Sequence, residues 1–465
     1  MTTYPMGTTA MFNEIAIDPN LINSIETTGK DGSVSSKPGV NRQECVRKMV
    51  DTLHPIYYYG HIWVYDATVF KYVPNNGHIE SYIMRTLCSL GMCVNQRGII
   101  EEALAAAMLD NYGTRFPFNS ATDLINCRNG AVRLTIDGPK LEPHLYEHRF
   151  NYVIDTDFNP AYLNNTPELD KVLNEWGPRK WVLDAGSVAI AQLLMKDTFK
   201  TAFMAEGPGD AGKTTMIDLF KKTLGDNAHS AVDLTTLTTN DFALSNVEGM
   251  LMNLADETPA FTISSTERFK RITGSVYQPI NQKYCEQRNG VVTAVYLFAC
   301  NDLPDTGKIA DPYFYNRWNI EEFKNKFVRS AVKKKEILSD RNCQQLLCRC
   351  IQGAQDILIN GWICPQTPDE VEEHWKSRTI NADRFLWECY TAADSSCTIS
   401  LADIVAQYLV WCKAQEGHVS PVSDRALSVR ISRLEYGKRT YNNRVVFSGI
   451  ERKFEPVKKD PKVLP

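Results

Sequence analysis

The sequence predicts an α/β core organised around a phosphate-binding loop, with a smaller α+β unit before it and a basic segment after it. Three observations point there. Residues 207–214 read GPGDAGKT, an unbroken match to the G-x-x-x-x-G-K-[ST] pattern. The apolar run 201–205 (TAFMA) just before it is short enough for a buried strand, and a helical pattern opens at 216–220 (MIDLF). Further apolar runs, 250–255 and 291–300, follow at the spacing of strands that alternate with helices in a parallel sheet.

Strand, glycine-rich turn and helix form the arrangement in which backbone N–H groups and a helix N-terminus converge on phosphate oxygens. The candidate cradle is Gly207, Pro208, Gly209, Asp210, Ala211, Gly212, Lys213, Thr214 and Thr215. Lys213 is expected to reach the β/γ-phosphates and Thr214 to hold Mg²⁺. About forty residues on, an apolar run ends in Asp256 and Glu257. One carboxylate there would position the metal and the next would polarise an attacking water. Asn301 follows the run VVTAVYLFAC, where an amide can bond a γ-phosphate or water; an ordinary Asn-containing turn is the alternative. Arg317 precedes an apolar strand, and its guanidinium suits a transferred phosphoryl group if a neighbouring subunit receives it.

In chain order, residues 1–40 are polar, end in GKDGSVSSKP, and are expected to be a flexible lead. A helix capped by Asn41 is expected over 41–53, then a hairpin from the aromatic runs 62–65 and 69–73. Helices follow over 79–90 and 99–109, and Asn129-Gly130 signals a tight turn. Residues 41–165 thus read as an α+β accessory domain, 166–350 as the ATPase core, and 351–465 as a helical linker with a terminal domain and basic tail. That tail, from Arg425 onward, suits either nucleic-acid contact or plain solvation.

Composition bounds the rest. The chain has 465 residues, with 43% hydrophobic and 23% charged, as in folded proteins. No run of 18 or more apolar residues and no signal-type start is present, so no membrane partner is expected. Thirteen scattered cysteines suit free thiols in a reducing, intracellular compartment. Cys343, Cys348 and Cys350 read as helix-core thiols, because no second pair or histidine completes a zinc set. His144 and His148 lack the metalloprotease order H-E-x-x-H. A net charge of −4 argues against a coat of nucleic acid but leaves room for a narrow basic channel.

The order of phosphate loop, Ala255-Asp256-Glu257, a basic loop, FACNDLP and FYNRW resembles the superfamily 3 helicases, in the primase–helicase type of poxviruses, phages and plasmids. NCRNGAVRL resembles the small domain before that motor, and residues 424–450 resemble its winged helix, with Asn442-Asn443 at the wing turn. The resemblance spans about residues 41–455 and implies an AAA+-like P-loop ATPase core and a homo-hexameric ring. It also implies ATP and Mg²⁺ as cofactors, and movement along single-stranded or forked DNA in the host cytoplasm. Lys213, Thr214, Asp256, Glu257 and Asn301 then take the roles given above, and Arg317 is the finger offered to the next subunit. Lys270, Arg271, Lys283, Tyr284 and Arg288 fall where the family carries a basic hairpin facing the ring channel, and Asn289-Gly290 fits a turn. A solvated charged hairpin is the alternative. The family's T-G-G-D reads Thr273-Gly274-Ser275-Val276 here. No primase carboxylate set stands before residue 200, so priming or polymerisation is assigned to a partner chain or to a portion of a longer protein. Two rival classes remain: an ATPase that remodels protein or packages DNA without separating strands, and a metabolic kinase, which leaves the 424–450 segment unexplained.

Overall fold

The computed structural model describes residues 21–28, 33–58, 60–90, 97–109, 118–258, 263, 266–282, 287–304, 312–414, 421–434, 436–441 and 444–453. At its centre stand five parallel strands: β1 (Ala202–Glu206), β2 (His229–Ser230), β3 (Met252–Thr258), β4 (Val295–Cys300) and β5 (Trp318–Glu322). Their spatial order is β2-β3-β4-β1-β5, so the first strand in sequence lies inside the sheet. Every residue of β1 and β4 is buried. A parallel sheet covered on both faces needs such unbroken apolar strands.

Alternation along the strands divides the apolar core in two. Phe203, Ala205, Leu254, Leu297 and Ala299 point to one face. There they meet α1 (Pro167–Trp176), α2 (Arg179–Met195), α3 (Lys213–Leu224) and α5 (Asp340–Asn360). Cys343, Cys348 and Cys350 are buried on α5 in that layer. Met204, Ala255, Tyr296, Phe298 and Ile320 point the other way, to Phe269 and Ile272 of α4 (Thr266–Gly274) and Trp375 of α6 (Pro368–Cys389). The open edge of β5 is blunted by Gln366, whose side chain accepts from Ile320 N at 2.7 Å and donates to Ile320 O at 2.9 Å. That amide stands in for a missing neighbour strand.

Before the sheet, helices Arg42–Leu53, His78–Ser89 and Arg97–Leu109 pack with the antiparallel strands Ile56–Tyr58, His61–Asp66 and Lys71–Pro74. Asn41 caps the first helix by accepting from Glu44 N at 3.3 Å. Three expectations need correction. Within the expected flexible lead, Ile22–Thr28 and Val34–Val40 pair antiparallel over seven residues each. The apolar core does not break at 165, because Leu124, Ile125, Phe150 and Tyr152 belong to the same cluster as the sheet's first face. The turn near 130 is centred on Arg128 and Asn129, since Cys127 pairs with Gly130 inside the hairpin.

After the sheet, α6 opens with a full capping box between Thr367 and Glu370. It leads to α7 (Leu401–Ala414), α8 (Asp424–Arg433) and the antiparallel strands Thr398–Ser400, Gly437–Tyr441 and Arg444–Ser448. These elements, with the end of α6, enclose their own apolar cluster round Phe385, Tyr408, Leu427 and Phe447. Asn442 and Asn443 lie outside the described residues.

Between α4 and β4, Tyr277–Ile280 and Arg288–Val291 form an antiparallel pair. Asn289-Gly290 is therefore strand rather than turn, because Gly290 pairs with Gln278. Arg288 forms a two-pronged ion pair with Glu248, one contact at 2.6 Å, and the side chains are only 15% and 13% exposed. A methyl group on Gly290 would stand 2.1 Å from the Glu248 carboxylate, so only glycine leaves room for the pair. We expect Glu248→Ala to destabilise the fold by about 2–4 kcal/mol, because it removes the carboxylate that neutralises a covered guanidinium. Gly290→Ala should cost about 1–3 kcal/mol through crowding. Urea-unfolding midpoints of the two variants check both, and a midpoint for Glu248→Ala equal to the parent's would show the pair to be idle.

Candidate nucleotide site

At the carboxyl ends of β1, β3 and β4 the chain leaves the sheet, and there the candidate residues meet. Open α/β sheets carry their ligands at this edge. The 207–212 loop joins β1 to α3 and turns through positive φ at Gly207 (150°), Asp210 (62°) and Gly212 (90°). Lys213 is the first residue of α3 and is 7% exposed. Its ammonium donates to Gly207 O at 2.6 Å, Pro208 O at 2.8 Å and Asn301 Oδ1 at 3.2 Å. Burial lowers its pKa from the ordinary lysine value. Two residues 88 positions apart in sequence, Lys213 and Asn301, thus touch.

Asp256 follows the buried run Met252, Asn253, Leu254 and Ala255 of β3, and its partly exposed carboxylate lies 3.2 Å from Lys221 Nζ. Lys221 is two turns along α3 from Lys213, on the same side of the helix. Glu257 is exposed next to Asp256. A cavity of about 500 Å³ opens between these groups, lined by Gly209, Asp210, Ala211, Gly212, Lys213, Thr214, Thr215, Asp256, Glu257, Asn301 and Asp302. Arg329, Ser423 and Arg425 also line it, and the sequence patterns had singled out none of the three for it. Arg329 donates to Asp210 Oδ1 at 2.7 Å, and Phe327 N donates to Asp210 O at 2.9 Å. Those contacts brace the left-handed residue of the loop. Glu206, 2% exposed at the end of β1, is bonded to His374 of α6 at 2.7 Å.

The remaining candidates lie elsewhere. Arg317 sits at the amino end of β5, and its carbonyl accepts from Ala202 N at 2.7 Å. That places it one strand length, roughly 15 Å, from the cleft of its own chain. Its side chain is half-buried near Gly274, its Nε has no partner among the described residues, and burial lowers its pKa. Lys270 is tied to Glu267 at 2.6 Å with its side chain 13% exposed. Arg288 is not a free channel cation, since Glu248 holds it. Arg271 is exposed and makes no ion pair among the described residues. Lys283 and Tyr284 lie outside the described residues.

A family model described as a family of unknown function (DUF5906) matches residues 205–317, from the last two residues of β1 to Arg317. No curated protein matches. Among solved structures, the chain is similar to three apo structures of the C-terminal region of NrS-1. One has a TM-score of 0.42 and 11% identity, over 85% of this chain and 95% of that one. Another has 0.40 and 12%, over 84% and 93%. A third has 0.34 and 13%, over 63% and 78%. No helix among the described residues is long and apolar enough to cross a membrane.

Gly212 offers a direct check of the loop. At φ 90° a side chain is strained, and an added methyl would stand 2.9 Å from Trp176 Nε1. Gly212→Ala is expected to displace the loop, at about 1–3 kcal/mol of local strain, and to weaken nucleotide binding at least tenfold by titration calorimetry. Circular dichroism should stay that of the parent; unchanged affinity would mean that the loop does not form the ligand's bed.

Proposed function

We propose that this chain is an ATP-dependent DNA helicase of the superfamily 3 type, with an AAA+-like P-loop core, working as a homo-hexameric ring on single-stranded or forked DNA. The observation that carries the proposal is the meeting of Lys213, Asn301, Asp256 and Glu257 at the carboxyl edge of one parallel sheet. The residues present fit a nucleoside triphosphate with Mg²⁺. Lys213 is held over the loop by two carbonyls and an amide, neutral acceptors that an anionic phosphate outcompetes for an ammonium. Among the described residues no cluster of three or more His, Cys, Asp or Glu side chains is placed to hold a metal. Mg²⁺ is therefore expected to arrive with the phosphates and to take only Thr214 and Asp256 from the protein. When bound, it neutralises charge developing on the transferred phosphoryl group.

The chain's own groups then divide the work. Loop N–H groups and Lys213 orient the phosphates, Asn301 positions Lys213 and the water, and Glu257 accepts the water's proton. Arg317, remote from its own cleft, serves the next subunit's nucleotide. The helix–helix–hairpin arrangement of α7, α8 and the strands after them supports a winged helix at the C-terminus. Arg271, with Lys283 and Tyr284, carries the contact with DNA, and a primase or polymerase is supplied in trans. The host cytoplasm is the expected setting.

A second reading keeps a place because of one observation. Arg288 and Lys270 are engaged inside the chain, which thins the expected row of channel cations. An ATPase that remodels or packages DNA or protein without separating strands needs fewer of them. Turnover measured with and without single-stranded DNA, beside unwinding of a forked duplex, distinguishes the two: DNA-stimulated hydrolysis without unwinding favours the second.

Lys213→Ala should abolish turnover, and Arg317→Ala should slow it by roughly 10³–10⁵-fold. Mixing the two inactive proteins should restore part of the rate, because one brings an intact loop and its neighbour an intact finger. Absence of any recovery in fully exchanged mixtures would sink the shared site.

A further inference from the structure

A second cavity, of about 860 Å³, shares no residue with the nucleotide cleft. One wall is the turn of the hairpin formed by Gly130–Thr135 and Gly138–Glu142; α2 and the last three turns of α5 form others. Gln355 ties the turn to α5 by donating to Thr135 O at 3.0 Å. The floor lies where the two helices cross: a methyl group on Gly353 would collide with the Ser187 hydroxyl, so glycine lets them close up. Pairing of Thr135 with Gly138 leaves Ile136 and Asp137 at the hairpin tip. Ile136 is fully exposed and Ile359 largely so, and both border the cavity. Hairpin tips favour Asn, Asp and Gly, and an isoleucine adds nothing to the turn itself.

The polar groups on these walls are incompletely matched. Lys180 meets Asp184 at 2.6 Å, Arg179 meets Asp170 at 2.7 Å and Asp137 meets Lys140 at 3.3 Å. Arg349 and Asp356 are left as the bordering charges with no ion pair among the described residues. Both belong to α5, seven positions apart, hence on one side of the helix and roughly 10 Å apart along its axis. Arg349 Nε and, between the two charges, Gln352 Oε1 are covered and lack a hydrogen-bond partner among the described residues. Gln352 donates its amide to Asn164 Oδ1 at 3.2 Å, which leaves its oxygen over. A covered donor and a covered acceptor left unmet are costly.

We infer that this groove takes an extended segment of a partner protein in which an acid, an aliphatic residue and a base stand at alternate positions. In an extended chain such residues face one way, with the outer two roughly 13 Å apart, a span that a long basic side chain shortens to meet Asp356. The acid forks onto the Arg349 guanidinium. The aliphatic side chain lies against Ile136 and Ile359, and a backbone N–H between the charges donates to Gln352 Oε1. A helical segment fits less well, because its own turns consume the backbone N–H groups. The inference is independent of the nucleotide reading of the cleft.

The test uses the full chain and a fluorescein-labelled peptide, GSDSLSKSG, in polarisation titrations. The parent should bind it saturably with Kd below about 1 mM, and GSKSLSKSG and GSDSSSKSG should each bind about tenfold more weakly. Arg349→Ala should weaken binding about ten- to a hundredfold while its melting temperature and nucleotide affinity stay those of the parent. Ile136→Ser, at an exposed tip, should weaken binding about fivefold, which keeps the test open if Arg349→Ala misfolds. Arg349→Glu should reverse the preference and select GSKSLSKSG, a switch that a merely structural arginine would not produce. Failure of the parent to bind any member of an array of alternating acid–aliphatic–base peptides overturns the inference, as does equal binding by parent and Arg349→Ala. Self-association of the parent in sedimentation, abolished by Arg349→Glu, also overturns it, because the groove's occupant is then a second copy of the chain.

Discussion

A buried ammonium is the constraint on which the rest of this structure depends. Lys213 is 7% exposed and forms no ion pair with a carboxylate among the described residues; two backbone carbonyls and one amide oxygen hold it. Withdrawing an ammonium from water is costly unless its donors are met, so the carbonyls of Gly207 and Pro208 must turn inward. That inward turn dictates the loop's left-handed geometry at Asp210 and Gly212. It also requires β4 to end where Asn301 can reach the same nitrogen. Burial lowers the lysine's pKa from its ordinary value, because desolvation disfavours the charged form.

Around that point the two faces of the sheet have different tasks. One face is filled by α1, α2, α3 and α5, which keep β1 and α3 rigid beneath the loop. The other is filled by α4 and α6 with a dense aromatic group, Phe269 stacked on Trp318 and Phe314 edge-on to Trp375. Polar contacts near the cleft add to that apolar packing on both sides of the core. The C-terminal unit holds on through Asp302–Ser423, His374–Glu206 and Trp375 Nε1 to Pro304 O at 2.9 Å. Before the sheet, Tyr58 lies 5.8 Å below the guanidinium of Arg288, which Glu248 already grips. Contacts of this kind, few and directional, can be exchanged at modest cost, whereas the packed faces of the sheet cannot.

The ion pair of Arg288 illustrates why charge in a sequence is hard to assign. In a linear string a lysine or arginine near a turn has the same appearance whether it meets solvent, a phosphate or a carboxylate. Glu248 is forty residues from Arg288, and no periodicity links them. Gly290, first read as a turn residue, is small because the pair lies against it. The same limit hid Arg425 and Arg329, whose place on the cleft follows from how distant elements fold back on the loop.

What the sequence determined by itself were the features set by neighbours along the chain. The GPGDAGKT loop, the buried run before it, the helix after it and the Asn41 cap all depend on local periodicity, turn chemistry and capping, and each stands where local rules put it. Asp256, Glu257 and Asn301 were legible as the tips of apolar strands for the same reason. Tertiary structure alone decided which tips share a cleft, that the core runs back through residues 124–158, and that the C-terminal unit reaches the loop. Strand order, ion pairing and burial depend on contacts between residues tens to hundreds of positions apart, and a one-dimensional pattern carries no record of which distant groups the folded chain brings within 4 Å.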